Sequence, residues 1–333
     1  MRLLLRMRFD NLNQMESQFM RTDYYFVLSP SYHGATVLAA LLNNHSRISC
    51  LGDTFPKRSF TQTCTCRKTV WDCPFWSQLY KALELRRFES EERWIPRFPQ
   101  LMGSASHGAL NRMANLAMLA YDQRLAATGN FFRSARRSHM ETYTRFIDYV
   151  KQSFGSPIFV DGSKQLFMPL FLQTYFGHVA RINIIHLMRD PRAFAFSSVY
   201  KSQAYSSVSC SAKAWLKYHQ RVKRFGATLN NQGRYIQVHY EDLCASPKHC
   251  LDNIQSFLGA RSECLDRPVV SQRKHHLMGN ASIFDFGGKL KASEKFRSAL
   301  SATEQQAVRR VTDEFYSVQR TTDSANGLRR RVA

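Results

Sequence analysis

The sequence contains no apolar run long enough to cross a membrane, since a bilayer requires about 18 to 20 consecutive apolar residues. The short N-terminal run Leu3–Leu5 is followed by Arg6 and Arg8 and by no small-residue cleavage site, so we expect no signal peptide. Cysteine is also scarce, because eight residues are too few to form a disulfide framework in a chain of 333 residues. These absences predict a soluble, cytoplasmic protein with reduced thiols.

Acidic residues are few relative to basic ones. Asp and Glu number 25 against 47 Lys and Arg, which gives a formal net charge of +22. Such a surplus indicates an anionic partner, which is nucleic acid, an anionic membrane surface or a small phosphorylated ligand. Basic residues are spread along the chain rather than clustered with stacking aromatics, so we do not expect a nucleic-acid-binding module. An apolar content of 44% excludes an intrinsically disordered protein.

Strand patterns alternate with helical ones. Apolar and β-branched runs predict buried strands at residues 24–28, 157–161, 181–188 and 234–240. Helical patterns follow three of these runs, beginning after Gly34, at Pro191 and at Pro247. This alternation predicts an α/β domain with a central, mostly parallel sheet covered on both faces.

Residues 57–150 lack strand signals. Residues 57–150 combine a cysteine cluster with helical stretches and predict a helical insertion, which we expect to form the acceptor side of a pocket. Residues 1–20 are interpreted as an N-terminal tail and residues 21–320 as one domain. Residues 321–333 are polar, end in three arginines before the final Val-Ala, and predict a disordered basic tail.

The loop between the first strand and its helix is a candidate anion site. A strand–loop–helix step directs several backbone N–H groups and the positive end of the helix dipole at one point. Gly34 would let the backbone approach an anion closely, and the Thr36 hydroxyl would add a hydrogen bond. The loop lacks the Gly-Lys-Ser/Thr ending of the ATPase phosphate loop. An ordinary strand-to-helix turn is the alternative interpretation.

A second candidate anion site follows the third predicted strand. Arg189 stands at the end of that strand, where ligands bind in open α/β sheets, and Ser197 follows eight residues later on the next helix. The two side chains could converge on one phosphate group. The alternative is an ion pair between Arg189 and Asp190 or another surface carboxylate.

Together these segments resemble the sulfotransferases that use 3′-phosphoadenosine 5′-phosphosulfate (PAPS), in a bacterial-type branch with a cysteine-rich insertion. The resemblance covers about residues 22–310, and four further parts of the chain contribute to it. These are Leu51–Asp53, Asp161–Lys164, Tyr240–Leu243 with Pro247 and Phe257–Gly259, and His275–Asn280. The resemblance implies a P-loop-kinase-like three-layer sandwich and an enzyme of the sulfotransferase class (EC 2.8.2.-).

The resemblance also implies a set of cofactor-binding residues. For the 5′-phosphosulfate they are Tyr32, His33, Gly34, Ala35, Thr36 and Val37. Arg189 and Ser197 would bind the 3′-phosphate. A looser match in the late segment gives Arg273, Gly279, Asn280, Lys289 and Lys291, for which a solvated basic face is the alternative.

One departure from the family pattern concerns charge. The family loop carries Lys or Arg, Ser, Gly, Thr or Ser, and Thr, whereas Tyr32 stands here in place of the basic residue. Stabilising the departing phosphate is normally a large contribution to such transfers. Three explanations are open: a protonated His33 supplies the charge, Lys164 reaches in from the neighbouring strand end, or the protein binds the nucleotide and transfers slowly or not at all.

The implied reaction is in-line transfer of a sulfuryl group to a hydroxyl or amine of a small-molecule, lipid or glycan acceptor. Asp53 is the expected base, with a helix cap or an ion pair with Lys57 or Arg58 as the alternative. A PAP-binding protein with weak or lost activity and a nucleotide-dependent kinase are the rival functions; the kinase would need a lysine where Ala35 stands. A peripheral contact with an anionic membrane is left open, and the sequence does not specify the oligomeric state.

The cysteine cluster has three interpretations. Cys64, Cys66 and Cys73 lie within ten positions, but zinc prefers four ligands and the sequence nearby offers no evident fourth. A disulfide and packed free thiols are the other two possibilities. We take free thiols as the working prediction, with no metal at the site.

Overall fold

The sheet is parallel throughout the part of the chain that is described. The computed structural model describes residues 22–52, 63–83, 130–164, 166–177, 179–230, 232–265, 274–276, 287 and 290–329. The strands are β1 (Thr22–Leu28), β2 (Ile48–Ser49), β3 (Ile158–Asp161), β4 (Ala180–Met188) and β5 (Tyr235–His239). They form one five-stranded sheet in the order β2-β3-β1-β4-β5, with every pair parallel. The predicted α/β fold is therefore confirmed.

The three central strands run in the same direction and end at the same edge of the sheet. β1 and β4 pair over the full length of β1, from Thr22 opposite Ala180 to Leu28 opposite His186. β3 pairs with the other side of β1, with Phe26 opposite Asp161. The loops that follow these three strands consequently leave the same carboxyl edge of the sheet, where ligands bind in open α/β folds.

Helices surround the sheet and fill most connections. They are α1 (Ala35–Asn43), α2 (Pro74–Ala82), α3 (Asn130–Phe154), α4 (Phe167–Phe176), α5 (Pro191–Phe196), α6 (Val208–Asn230), α7 (Tyr240–Ala245), α8 (Pro247–Phe257), α9 (Phe296–Ala299) and α10 (Ala302–Arg329). A π-helical turn, Ser197–Lys201, follows α5. No helix in the described ranges combines the length and the apolarity needed to span a bilayer.

Two predicted boundaries can be compared with these helices. The described parts of the 57–150 insertion contain α2, α3 and an isolated antiparallel bridge between Thr63 and Thr69, and they are otherwise without strands. At the C-terminus, α10 continues to Arg329, whereas a disordered tail was expected from residue 321. Extending an existing helix costs much less than nucleating one, and no proline interrupts this segment.

Alternate residues of β1 face opposite sides of the sheet and build two cores. Phe26 and Leu28 belong to one apolar cluster, which also takes Trp76 from α2 and Phe146 from α3. Val27 belongs to the other cluster, together with residues of α1 and α8. Because both faces of β1 are buried, the strand reads as a continuous apolar run, and the helices form an outer layer on each side.

Candidate active site

The turn from β1 into α1 depends on one glycine. Gly34 precedes the first residue of α1 with φ 84°, a left-handed conformation that disfavours side chains. A Cβ atom at this position would also overlap the ring of Tyr240. The Leu38 amide donates to the Gly34 carbonyl at 3.0 Å and closes the first turn of the helix. Glycine is thus required both for the backbone turn and for contact with α7.

The first turn of α1 presents the donors that the sequence predicted. No side chain caps this helix end, and no acidic residue lies in its first turn. The amides of Ala35, Thr36 and Val37 belong to the first positions of the helix, which have no carbonyl partner within it. Thr36 and Val37 are half-buried, whereas Ala35 is buried. This end of α1 therefore offers backbone N–H groups and a positive dipole end to an anion.

Arg189 reaches this loop from the neighbouring strand. Its Nη1 donates to the Tyr32 carbonyl at 2.5 Å, and its guanidinium lies 5.2 Å from the centre of the Tyr240 ring. The backbone carbonyl of Arg189 accepts a hydrogen bond from Trp215 Nε1 at 3.2 Å. Strand, loop and α6 therefore hold the arginine beside α1.

The alternative ion pair for Arg189 is not the arrangement seen. Asp190 pairs instead with Arg192, whose Nη2 lies 2.6 Å from the carboxylate. The same carboxylate accepts from the Arg192 amide at 2.8 Å and caps α5. The Asp190 amide donates to Glu241 Oε1 at 2.9 Å. These contacts leave the carboxylate of Asp190 engaged with the helix rather than with Arg189.

Ser197 opens a π-helical turn at the end of α5. Ser197 is 7% exposed, and the neighbouring Ser198 is fully buried. The Ser198 and Ser211 hydroxyls lie 2.7 Å apart, which ties Ser198 to α6. π-Helical turns within helices often occur at functional sites. The two adjacent serines thus have different surroundings, although both are buried.

The side chain of His33 is buried inside the protein and is not exposed on the surface of the β1–α1 loop. Its Nδ1 lies 3.0 Å from the Ser31 carbonyl and its Nε2 lies 3.0 Å from His219 Nε2. Burial lowers the pKa of His33 to about 3, so its imidazole is neutral near pH 7. A neutral ring carries no charge to stabilise an anion, which argues against the protonated-His33 explanation.

A chain of buried side chains continues behind His33. His219 Nδ1 lies 2.7 Å from His186 Nε2, and His186 Nδ1 lies 2.6 Å from the Tyr235 hydroxyl. Burial also lowers the pKa of His186 and of His219. The sequence did not indicate this network, because its members lie on β4, α6 and β5 and meet only in the folded chain.

Lys164 leaves the sheet beside the loop. It follows β3, has φ 67° and is half-buried. The Tyr218 hydroxyl donates to its carbonyl at 2.8 Å and also hydrogen-bonds to the backbone of Ser29. Tyr218 therefore joins the start of the β1–α1 loop to the segment that carries Lys164.

Asp161 shapes the turn that leads to Lys164. Its buried carboxylate accepts a hydrogen bond from the Ser163 amide at 2.8 Å and from the Tyr143 hydroxyl at 2.8 Å. Burial and the nearby Asp161 carboxylate raise the pKa of Tyr143, which stays protonated and can donate. These positioning contacts were missed because Tyr143 belongs to α3, far from any recognisable loop pattern.

Comparisons with known proteins bear on this geometry. A model described as the sulfotransferase family matches residues 26–263. This chain belongs to the sulfotransferase family. Its structure is similar to the sulfotransferase domain of the olefin synthase of Synechococcus PCC 7002, with a TM-score of 0.50, 17% identity and coverage of 89% of this chain and 95% of that one. The family assignment and the fold class are confirmed.

Two other solved structures are more distant from this sulfotransferase. The sulfotransferase domain from the curacin biosynthetic pathway has 15% identity, a TM-score of 0.45 and coverage of 88% of this chain and 98% of that one. Retinol dehydratase in a complex with retinol and PAP has 15% identity, a TM-score of 0.36 and coverage of 89% and 81%. No curated protein sequence matches the chain.

Several predicted site residues of the sulfotransferase cannot be placed. Asp53, Arg273, Gly279, Asn280 and Lys289 lie outside the described residues. Lys291 is described and exposed.

The described neighbours of two of these residues have defined positions. Gly52, which precedes Asp53, packs so closely on Gly162 that a Cβ on Gly162 would lie 3.0 Å from its carbonyl. Lys274, which follows Arg273, is buried, and its Nζ donates to the His45 and Ile48 carbonyls at 2.5 Å each. Lys274 is therefore a structural residue, and burial lowers its pKa to about 8.

Proposed function

We propose that this sulfotransferase transfers the sulfuryl group of PAPS to a hydroxyl or amine of a small-molecule, lipid or glycan acceptor. The observation that carries the proposal is the contact between the Arg189 guanidinium and the Tyr32 carbonyl beside the uncapped first turn of α1. Two groups suited to anions thus meet at one edge of the sheet. A nucleotide with phosphates at both ends requires two such groups.

The residues present fit such a nucleotide. PAPS supplies an activated sulfuryl group when it is bound, and PAP remains after the sulfuryl group has passed to the acceptor oxygen or nitrogen. The amides of Ala35, Thr36 and Val37 would hold the 5′-phosphosulfate, and Gly34 permits the left-handed turn that presents them. Arg189 and Ser197 would bind the 3′-phosphate. No divalent metal is needed for this charge balance.

Lys164 is the proposed source of the missing positive charge. The alternative, His33, is neutral because burial lowers its pKa to about 3. Lys164 stands at the carboxyl edge of the sheet, and the Tyr218 hydroxyl holds its backbone near the start of the loop. A lysine there would stabilise negative charge on the departing phosphate without a proton transfer.

Asp53 is the proposed general base. A base must accept the acceptor proton as the acceptor atom bonds to sulfur and the bond from sulfur to the bridging oxygen breaks. Asp53 follows Gly52, whose backbone packs against Gly162 at the carboxyl end of β3. Its carboxylate would act on the acceptor side, and replacement by Asn should remove most transfer activity while leaving PAP binding intact.

A thermal-shift experiment tests the nucleotide assignment. Adenosine 3′,5′-bisphosphate should raise the melting temperature of the full chain, and ATP should raise it much less. Arg189→Ala should weaken bisphosphate binding by about 10- to 100-fold, because a hydrogen bond to a charged group contributes about 1.5 to 3 kcal/mol. Arg181→Ala is the matched control, since Arg181 stands at the opposite end of β4 and pairs with Asp23.

The same experiment separates the competing functions. No shift with the bisphosphate would overturn the donor assignment, and a larger shift with ATP would favour the kinase. A normal bisphosphate shift without transfer of radiolabelled sulfate to any component of a cell extract would favour a PAP-binding protein with lost activity. Transfer to an extract component would identify the acceptor class.

A further inference from the structure

Three cysteines and a distant histidine converge beside the first core cluster. The ligand atoms of Cys64, Cys66, Cys73 and His275 all lie within 4.8 Å of one another. His275 Nδ1 lies 3.1 Å from Cys73 Sγ and 3.4 Å from Cys64 Sγ. We call these four residues the cysteine–histidine cluster. His275 supplies the fourth ligand. The sequence near the cysteines offers none because His275 lies 202 residues after Cys73.

The spacing of the cluster matches a tetrahedral zinc ion. Zinc binds sulfur at about 2.3 Å and nitrogen at about 2.0 to 2.1 Å, so tetrahedral ligands stand about 3.6 Å apart for S and N and about 3.8 Å apart for two S atoms. The two S–N separations to His275, 3.1 and 3.4 Å, differ from the first value by half an ångström or less. Small side-chain adjustments would therefore complete the coordination.

The cysteine backbone is folded into a compact turn. The Arg67 amide donates to the Cys64 carbonyl at 2.8 Å, and the Cys64 amide donates to the Lys68 carbonyl at 2.9 Å. Arg67 adopts φ 64°, which turns the chain sharply after Cys66. Cys73 immediately precedes Pro74 at the start of α2, so the beginning of that helix fixes its position. The three sulfur atoms therefore approach one point from a turn and from a helix end.

His275 lies on a short segment, residues 274–276, that is hydrogen-bonded to the same turn. The Thr65 amide donates to the His276 carbonyl at 3.0 Å, and the His276 amide donates to Thr65 Oγ1 at 3.2 Å. Thr65 Oγ1 in turn donates to the Lys274 carbonyl at 3.2 Å. The His275 ring stacks on Phe75, with ring centres 5.3 Å apart and planes at 2°. Backbone bonds and stacking thus fix the ring orientation that a ligand histidine needs.

The three cysteines of the cluster are free thiols. All eight cysteines lie in the described part of the chain, and none of them forms a disulfide there. All three sulfur atoms of the cluster can therefore serve as metal ligands.

We propose that Cys64, Cys66, Cys73 and His275 bind one Zn²⁺ ion as a closed structural site. Four protein ligands leave no open position for a substrate, which distinguishes the site from a catalytic zinc. The ion would link the turn before α2 to residues 274–276. It would thereby hold the late segment of the chain against the insertion, independently of the donor that the enzyme uses.

Metal analysis of the full-length protein tests the proposal. The chain, purified without chelators, should contain about one zinc per molecule by mass spectrometry. Replacement of zinc by cobalt(II) should produce the visible absorption of a tetrahedral ion together with a thiolate charge-transfer band. Reduced protein that takes up no zinc from a zinc-buffered solution, or that binds cobalt without the thiolate band, would overturn the proposal.

Variants identify the ligands. Cys73→Ser and His275→Ala should lose zinc, whereas Cys210→Ser and His249→Ala, which change exposed residues on α6 and α8, should retain it. If His275→Ala does not fold, His275→Cys keeps the test available, since four thiolates also bind zinc. That variant should retain one zinc and shift the cobalt spectrum toward an all-sulfur site. An unchanged spectrum in His275→Cys, or full zinc content in His275→Ala, would refute ligation by His275.

Discussion

The carboxyl edge of the sheet and the cysteine–histidine cluster are assembled in different ways. At the carboxyl edge, each contributing loop directly follows a strand, so its position is set by the order of the parallel strands. In the cluster, residues 64–73 form a local turn, but the fourth ligand arrives from position 275. A strand–loop–helix pattern can therefore reveal the first site, whereas only tertiary contacts reveal the second.

The two sites also differ in how they gain positive charge. The carboxyl edge would bind an anion, so it needs cationic side chains and N–H donors nearby. One expected basic residue there is replaced by Tyr32. The cluster gathers thiols and would bind a cation instead. The net charge of +22 predicts neither, because the balance at a site depends on a few neighbouring groups rather than on the total.

The largest effect is expected at Lys164. Lys164→Ala should lower kcat of sulfuryl transfer by about 100- to 1000-fold, the range found when one group that stabilises transition-state charge is removed. Zinc content should not change, because the cluster does not include this residue. Steady-state kinetics with radiolabelled PAPS measures the first quantity, and metal analysis measures the second.

Two further variants keep the Lys164 result interpretable. Lys164→Arg should recover part of the activity, since it restores the charge with a different shape. Lys217→Ala, which removes an exposed lysine from α6, should have full activity. Equal activity of Lys164→Ala and Lys217→Ala would remove Lys164 from the mechanism.

The strands and the loop could be predicted from local sequence for a physical reason. Strands buried on both faces read as unbroken apolar runs, and four of the five were located within one or two residues. The exception, β2, has only two residues and is too short for any periodic pattern. The family pattern singled out Gly34, which lies in the loop after β1, and Arg189, which stands directly after β4.

The features that escaped the sequence all depend on distant neighbours. Burial of His33 follows from the packing of His219 and His186 behind the loop, and a loop histidine by itself suggests an exposed, protonatable ring. Likewise, Cys73 and His275 meet only because residues 274–276 bond to Thr65. Sequence spacing carries no information on such pairings.

A smaller effect concerns the buried histidine chain behind His33. Burial keeps His219 neutral in the folded state, and it protonates below about pH 6.5 when the chain unfolds. The unfolded state thus binds more protons as the pH falls below 6.5, and the free energy of unfolding decreases. Each such histidine contributes a slope of up to about 1.4 kcal/mol per pH unit in this window.

The slope can be measured by urea unfolding at several pH values. His219→Gln should reduce the slope below pH 6.5 by up to about 1.4 kcal/mol per pH unit, whatever its overall loss of stability. His249→Gln, which changes an exposed histidine on α8, should leave the slope unchanged. Both variants are compared at one free zinc concentration, so proton-coupled loss of zinc cancels. An unaltered slope in His219→Gln would mean that this ring is already charged in the folded protein.

The smallest expected effect concerns two adjacent serines. If Ser197 binds the 3′-phosphate, Ser197→Ala should weaken bisphosphate binding by about tenfold, because one hydrogen bond to a charged group contributes about 1.5 kcal/mol. Ser198→Ala instead removes the hydroxyl that lies 2.7 Å from Ser211, so it should lower the melting temperature and leave bisphosphate affinity unchanged. Calorimetric titration and thermal unfolding of the two variants measure these quantities. The reverse result would mean that the π-helical turn presents Ser198, rather than Ser197, to the nucleotide.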